Sequence, residues 1–294
     1  MSKYLLRSLM FVPGHNERLL ASAAKSSADV LLLDIEDSVQ PNENKQIALE
    51  TVSKWVKDGA FAKHLVFPRI NDRESGRLLK DLYALTIPGV HGFMYPKSMT
   101  GEDVYFIDKL LETIEYEKGI TPGTFKLIPL IETAAAVLNA QEIIQSSKRV
   151  IAIAFGCEDF IANLEGIHDH EGIVLSTPRS MIAMAARANG VVPVDTVHID
   201  VHDMEDLERN LILAKTLGFE GMLVLNPKEL ELVHRYYSPT PEEIHEAKEM
   251  LRLSDEAEKE GKGVAIMNGK FIGPPMVESA KKIILRASMI AEKG

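Results

Sequence analysis

A single cysteine, Cys157, in 294 residues excludes an internal disulfide framework and a cysteine-built structural zinc site, both of which need several thiols. Its neighbours are small or apolar on one side and acidic on the other, surroundings that do not lower a thiol pKa, so Cys157 is assigned to packing. No run approaches the ~20 apolar residues that cross a bilayer. The opening MSKYLLRSLMFVPG passes into a strand-like stretch without a small-residue cleavage site, and a cytoplasmic protein with no membrane partner is expected. Positive charge is also scarce. With 43 acidic against 33 basic residues, a formal net charge of -10 and no local basic patch, nucleic acid is not an expected partner. A glycine-rich phosphate loop is missing, because FVPGHNERLL after the first apolar run lacks the G-x-G-x-x-G spacing, and this weakens a dinucleotide-binding fold. His15, His168, His170, His198 and His202 show no metal-ligand spacing and are assigned no role.

What the chain does have is 46% hydrophobic residues arranged in short apolar runs, each followed by a helix-length stretch. The runs are Leu9 to Val12, Val30 to Ile35, Leu65 to Ile70, Gly92 to Tyr95, Leu127 to Ile131, Val150 to Phe155, part of Val191 to Ile199, and Met222 to Leu225. Several are continuously apolar, as strands covered on both faces are. Eight βα units in one chain of this size predict an α/β fold closed as a (β/α)8 TIM barrel. The barrel is expected over 1–237, with a C-terminal helical extension over 238–294 that packs on the barrel or on a neighbouring subunit. Within the extension, Thr240 reads as an N-cap with Pro241 at N1 and Glu243 completing a capping box. Gly261-Lys262-Gly263 breaks that helix, a hairpin turns at Asn268-Gly269, and Pro274-Pro275 precedes a last helix.

In such a barrel the chemistry sits where strands end, so polar residues closing apolar runs are the ones to collect. They are Asp34-Ile35-Glu36-Asp37, Arg69-Ile70-Asn71, Pro96-Lys97, Glu132-Thr133 and Glu158-Asp159. Burying such charges without partners costs several kcal/mol, so they should converge on one another or on an ion. Glu132 and Asp159, ending successive strands, either hold a divalent cation or cap the helices that follow; two hard oxygen ligands fit Mg2+ better than zinc. Arg69 presents a planar fork for a carboxylate or phosphate, or else neutralises Glu36 and Asp37. Lys97 reads as an electrostatic partner of the carboxylates, and Glu158 as a solvated neighbour of Asp159.

The ordered motifs Arg7-Ser8, Phe11-Val12-Pro13-Gly14, Asp34-Ile35-Glu36-Asp37-Ser38-Val39, Arg69-Ile70-Asn71, Pro96-Lys97, Ile131-Glu132-Thr133, Phe155-Gly156-Cys157-Glu158-Asp159 and Ala185-Ala186-Arg187-Ala188 resemble, nearly end to end, the citrate lyase β-subunit-like family, which includes malyl-CoA and citramalyl-CoA lyases. The resemblance implies an oligomeric TIM barrel, a homotrimer or hexamer, that makes or breaks a C–C bond beside a thioester. Its implied partners are a CoA thioester and a small keto-acid, pyruvate, glyoxylate or oxaloacetate. Carried over residue by residue, Glu132 and Asp159 hold Mg2+, with Glu132 also facing the substrate. Arg69 grips the keto-acid, Glu36 and Asp37 order the metal's waters, and Phe11 and Arg18 lie along the CoA arm. Arg69, Glu36, Asp37 and Lys97 form the implied catalytic set.

The chain departs from that family in three places. Gly273 stands where relatives carry an acid/base Asp contributed to a neighbour's site, Leu225-Asn226-Pro227 replaces Ile-His-Pro, and Met222 replaces a Lys. A Mg2+-dependent lyase for 3-hydroxyacyl thioesters is the leading expectation. The alternatives are an aldolase on free hydroxy- or keto-acids, and a metal- and ligand-binding subunit that turns over only within a carrier-protein lyase complex.

Overall fold

The computed structural model describes residues 4–168, 172–200, 202–261 and 264–293, and the chain divides between His234 and Arg235 into two compact units. His170 and two residues of the expected helix break, Lys262 and Gly263, lie outside the described residues.

The first unit is a barrel of parallel strands. They are β1 (Ser8–Pro13), β2 (Val30–Asp34), β3 (Leu65–Val66), β4 (Gly92–Tyr95), β5 (Lys126–Ile131), β6 (Ala152–Phe155), β7 (Val192–Asp195) and β8 (Gly221–Val224). They pair in the order β3-β2-β1-β8-β7-β6-β5-β4, with helices alternating between them. The continuous apolar runs have the cause expected of them: helices cover the outside, and side chains fill the inside. One buried cluster takes Leu9, Leu32, Phe67, Met94, Leu130, Ala154, Val194 and Leu223, a residue from every strand or its immediate continuation.

The third strand is shorter than the apolar run that announces it. Its regular ladder stops at Val66 because Pro68 has no N–H to donate. Beyond that point single bonds continue the pairing: Phe67 N–H to Leu31 O at 2.9 Å and Arg69 N–H to Leu33 O at 3.1 Å on one side. On the other, His91 N–H to Val66 O at 2.9 Å, Met94 N–H to Pro68 O at 3.0 Å and Ile70 N–H to Met94 O at 3.3 Å bring the third and fourth strands together and close the cylinder.

Arg7 and Ser8, at the start of β1, belong to the N-terminal end. Arg7 donates through Nε and Nη2 to Asp29 at 2.9 Å each, and Ser8 Oγ lies 2.8 Å from His234 Nε2. These contacts tie the ends of the unit together away from the strand ends that carry chemistry. At the opposite end Gly14 N–H donates to Asp34 O at 2.7 Å, and a Cβ there would come within 2.8 Å of that oxygen. Only glycine lets the turn after β1 lie so close to the end of β2.

The second unit contains the helix Pro241–Lys259, the strands β9 (Ala265–Met267) and β10 (Lys270–Ile272), and the helix Pro274–Lys293. Thr240 makes the expected capping box with Glu243. Asn268 and Gly269 turn the hairpin with φ of 51° and 75°, as a two-residue Asn-Gly loop requires. Ala257, Ala265 and Ile272 form its small core. No helix among the described residues is long and apolar enough to cross a membrane.

Candidate active site

Three strand ends bring the charged residues together. Asp34 closes β2 and is fully buried, and the main chain pairs it with Arg69 across the irregular continuation of β3. Its carboxylate takes Arg69 Nε on Oδ1 at 2.8 Å and Nη2 on Oδ2 at 2.6 Å. Glu36 Oε2 stands 3.3 Å from Arg69 Nε, and Asp37 Oδ2 stands 3.9 Å from Nη1. The Phe11 ring lies over the guanidinium, 4.7 Å from Cζ to the ring centre. Arg69 is thus held on its side edge by Asp34 and on one face by Phe11. What it can offer a ligand is the end edge, through Nη1 and the second Nη2 proton.

Glu132 follows β5 directly and is 3% exposed. Its Oε1 accepts the main-chain N–H of Lys97 at 2.6 Å. Oε2 accepts no hydrogen bond from the described residues, and Gly156 leaves the space beside it, since a Cβ there would sit 3.1 Å from Oε2 and 2.8 Å from Glu132 Cβ. Burial pushes the Glu132 carboxyl up to about 8, with the charges of Asp159 and Glu36 adding to the rise and the Lys97 amide and Arg69 opposing it. Burial likewise pushes Glu36 up to about 7 against the pull of Arg69, with Asp37 and Asp34 reinforcing it. For Asp34 burial acts in the same direction, but the Arg69 charge and its hydrogen bonds with Arg69, Ser38 and Glu36 outweigh it and hold the carboxyl below its ordinary value. Asp34, Glu36 and Asp37 thus share one guanidinium, while Glu132, deeply placed beside them, keeps an open oxygen. That donor set fits a hard divalent cation whose remaining ligands are water or substrate. Among the described residues, no three of His, Cys, Asp and Glu gather closely enough to hold an ion by themselves.

Several placements differ from those expected. Asp159 does not end β6; it is exposed and occupies the first turn of the helix Cys157–Leu164, where a carboxylate also favours the positive end of the helix. Glu158 is exposed and meets His168 Nε2 at 2.9 Å. Lys97 meets the carboxylates chiefly through Asp72: its Nζ donates to Asp72 Oδ2 at 2.7 Å, the charges of Glu36 and Asp37 also act on its ammonium, and its backbone amide is what holds Glu132. Arg18 is exposed on the helix Glu17–Ala23, whereas Phe11 stacks on Arg69. Cys157 is buried and its thiol is pushed up to about 12 by burial, so it is inert at neutral pH.

Sequence reasoning attaches no role to Asp34, Asp72 or Gly156. An Asp ending one strand opposite an Arg ending the next is a usable signal for Asp34. Nothing local marks the other two, which depend on how loops approach one another.

The pattern of the HpcH/HpaI aldolase/citrate lyase family matches residues 7–227. The chain is 34% identical to citrate lyase subunit beta of Haemophilus influenzae, over 96% of this chain and 97% of that one. It is 29% identical to the human mitochondrial citramalyl-CoA lyase, over 98% of this chain and 87% of the other. A crystal structure of the Mycobacterium tuberculosis protein CitE in complex with magnesium, acetoacetate and coenzyme A aligns with a TM-score of 0.74 at 27% identity, covering 96% of this chain and 100% of that one.

Proposed function

The chain belongs to the HpcH/HpaI aldolase/citrate lyase family, and from that premise we propose a Mg2+-dependent carbon–carbon lyase that cleaves a 3-hydroxyacyl thioester of the citryl, citramalyl or malyl type into an acyl thioester and a small keto-acid. The observation that carries the reading is Glu132. It is a buried carboxylate with one oxygen fixed by the Lys97 amide and the other unclaimed, on which the charges of Asp159, Glu36 and Arg69 act. The magnesium in the complex of the related CitE protein supports the choice of ion.

Glu132 and Asp159 would hold the ion, which when bound supplies electrophilic polarisation of the hydroxyl and carboxylate oxygens of the substrate. The end edge of Arg69 takes the carboxylate that leaves as the keto-acid, in the plane set by Asp34 and Phe11. Glu36 and Asp37 accept hydrogen bonds from water around the site. In the cleavage the 3-hydroxyl gives up its proton, the C2–C3 bond breaks, and its electron pair becomes the enolate of the acyl thioester. That enolate must then take a proton at carbon. The acid is where this chain differs. If the helical extension reaches a neighbouring barrel, Gly273 delivers no proton there, and turnover is slow although metal and keto-acid bind.

A second reading has a specific observation behind it: the 34% identical relative is a subunit of citrate lyase. A protein that binds metal and keto-acid but turns over only with carrier and transferase partners fits the same site. Assaying the purified protein with Mg2+ against citryl-, citramalyl- and malyl-CoA, the matching carrier-protein thioesters and the free hydroxy-acids tests both. Cleavage of one CoA thioester supports the autonomous lyase, cleavage only of a carrier-protein thioester supports the subunit, and cleavage of free hydroxy-acids alone overturns both.

A further inference from the structure

We propose that Asp34 is the positioning residue of the site: its carboxylate fixes the plane of Arg69 and, through two main-chain amides, locks that plane to the turn bearing Glu36 and Asp37. For its ligand readout the proposal rests on the reading of Arg69 as the keto-acid grip.

A carboxylate has about four acceptor positions on two oxygens, and in Asp34 all four are used by the protein. Oδ1 accepts Arg69 Nε at 2.8 Å and the Glu36 amide at 3.0 Å. Oδ2 accepts Arg69 Nη2 at 2.6 Å and the Ser38 amide at 3.1 Å. The side chain is fully buried. Asp34 therefore has no lone pair to give an ion or a substrate, and its effect must pass through the groups it holds. One carboxylate sets both the guanidinium and the backbone of the turn that carries Glu36 and Asp37, so their relative position is fixed by a single rigid group.

The alternatives open to Arg69 show why this matters. Glu36 Oε2 is already 3.3 Å from Nε, and Asp37 Oδ2 is 3.9 Å from Nη1. Without Asp34 a rotation of the guanidinium by a fraction of its width would bring it onto either one, leaving its end edge engaged with the protein. With Asp34 in place and Phe11 over one face, a planar anion has a single approach, end-on through Nη1 and Nη2. The geometry selects a ligand whose carboxylate can lie in the guanidinium plane, which a 2-keto-acid does without distortion.

The test uses the full chain and two readouts. The first needs no ligand: in a 15N NMR spectrum the Arg69 Nε–H signal, assigned by its loss in Arg69→Lys, should exchange with water at least about tenfold more slowly than the Nε–H of exposed arginines, as expected for a buried charge-assisted bond. In Asp34→Asn the protection should disappear. The second is pyruvate binding by calorimetry at saturating Mg2+, arranged as a double-mutant cycle. Asp34→Asn should weaken pyruvate about tenfold or more when Arg69 is present and less than about twofold in an Arg69→Ala background, with Mg2+ affinity changed by less than about threefold. Asp34→Glu, which keeps the charge but displaces it by one methylene, serves if the Asn variant does not fold, and should lose the same signal.

Rapid Nε–H exchange in the unmodified protein overturns the proposal without any variant. Equal losses with and without Arg69 overturn it too, because Asp34 would then act on the fold and not through the arginine. If pyruvate does not bind the unmodified protein, the functional reading fails while the exchange measurement still decides the role of Asp34.

Discussion

Lys97 meets Glu132 through its backbone amide, at 2.6 Å, while its ammonium turns away to Asp72 at 2.7 Å. Lys97 also takes a φ of +51°, a region that non-glycine side chains adopt at a cost of about 1–3 kcal/mol. At the proposed metal site the backbone of Lys97 is therefore expected to matter more than its side chain. Lys97→Ala should bind Mg2+ within about threefold of the parent, and Lys97→Gly should do the same with φ relieved. Calorimetry decides it: a loss of about tenfold or more in Lys97→Ala would restore the ammonium to the site.

Glu132→Ala and Asp159→Ala should each abolish measurable Mg2+ binding in calorimetry, and retention of parental affinity in both would remove the metal assignment. The pH dependence follows from Glu132. Its carboxyl, ordinarily near 4.5, stands at about 8 in the folded protein. A cation and a proton compete for that oxygen pair, so below pH 8 each ion bound displaces close to one proton. Apparent affinity should fall by roughly tenfold per pH unit from pH 8 toward pH 6. Repeating the titrations in buffers of different ionisation enthalpy counts the protons, and a count of zero at pH 7 contradicts the assignment.

Arg69→Lys keeps the charge but loses the fork, both bonds to Asp34 and the stack on Phe11. A hydrogen bond to a charged group contributes about 1.5–3 kcal/mol, so pyruvate or glyoxylate affinity should fall about tenfold or more. Unchanged affinity would mean that the fork is engaged with the protein alone.

Much of this is legible in the residues themselves. The eight strands announce themselves because a strand covered on both faces must be apolar throughout, and the Thr240 cap and the Asn268-Gly269 turn because each rests on chemistry within four residues. Glu132 and Arg69 stand out as polar ends of apolar runs. The reach of β3 does not, since Leu65 to Ile70 reads as one stretch and only the missing N–H of Pro68 cuts it short. Nor does the role of the Lys97 backbone, because sequence patterns record side chains and a left-handed φ at a lysine is set by the loop around it. Reading Asp159 as a strand end puts it a turn too early for a related reason: Phe155-Gly156-Cys157 gives no sign that the helix starts at Cys157.

Gly273 tests the proposed loss of the acid. Its φ is not left-handed, and a Cβ there would meet only Pro275 Cδ at 3.7 Å, so the backbone accepts a residue with a Cβ. General acid catalysis contributes about 10²- to 10⁴-fold. Gly273→Asp should therefore raise a slow parental rate on malyl- or citramalyl-CoA toward that range without tightening Mg2+ binding, and Gly273→Asn should not. Equal rescue by both, or brisk turnover by the parent, would show that the proton comes from elsewhere.

Glu229 offers a stability measurement that does not depend on metal binding. It is fully buried just after β8, and neither oxygen makes a hydrogen bond of good geometry; burial pushes it up to about 7, with the nearby amides of Leu225 and Asn226 offsetting only part of the rise. Below about pH 4.5 both folded and unfolded chains hold the proton, and nothing is lost. Between there and pH 7 the unfolded chain gives it up first, so stability falls as pH rises, by on the order of 2–3 kcal/mol in full. Glu229→Gln should remove that slope, stabilising the protein in urea melts at pH 8 and leaving it unchanged at pH 4.5. An equal effect at the two pH values would show that Glu229 is not the group that titrates.

The proline that shortens β3 also decides where the cylinder can open. Every other neighbouring pair of strands is joined by a regular ladder, whereas the third and fourth meet through His91, Met94 and Ile70 donating one bond each around Pro68. A barrel with one stitched seam has its weakest pairing there, and Arg69 sits on it. Loss of that pairing would part Arg69 on the third strand from Glu132 after the fifth, so the mechanical fault line of the barrel runs between the two residues on which the proposed chemistry depends.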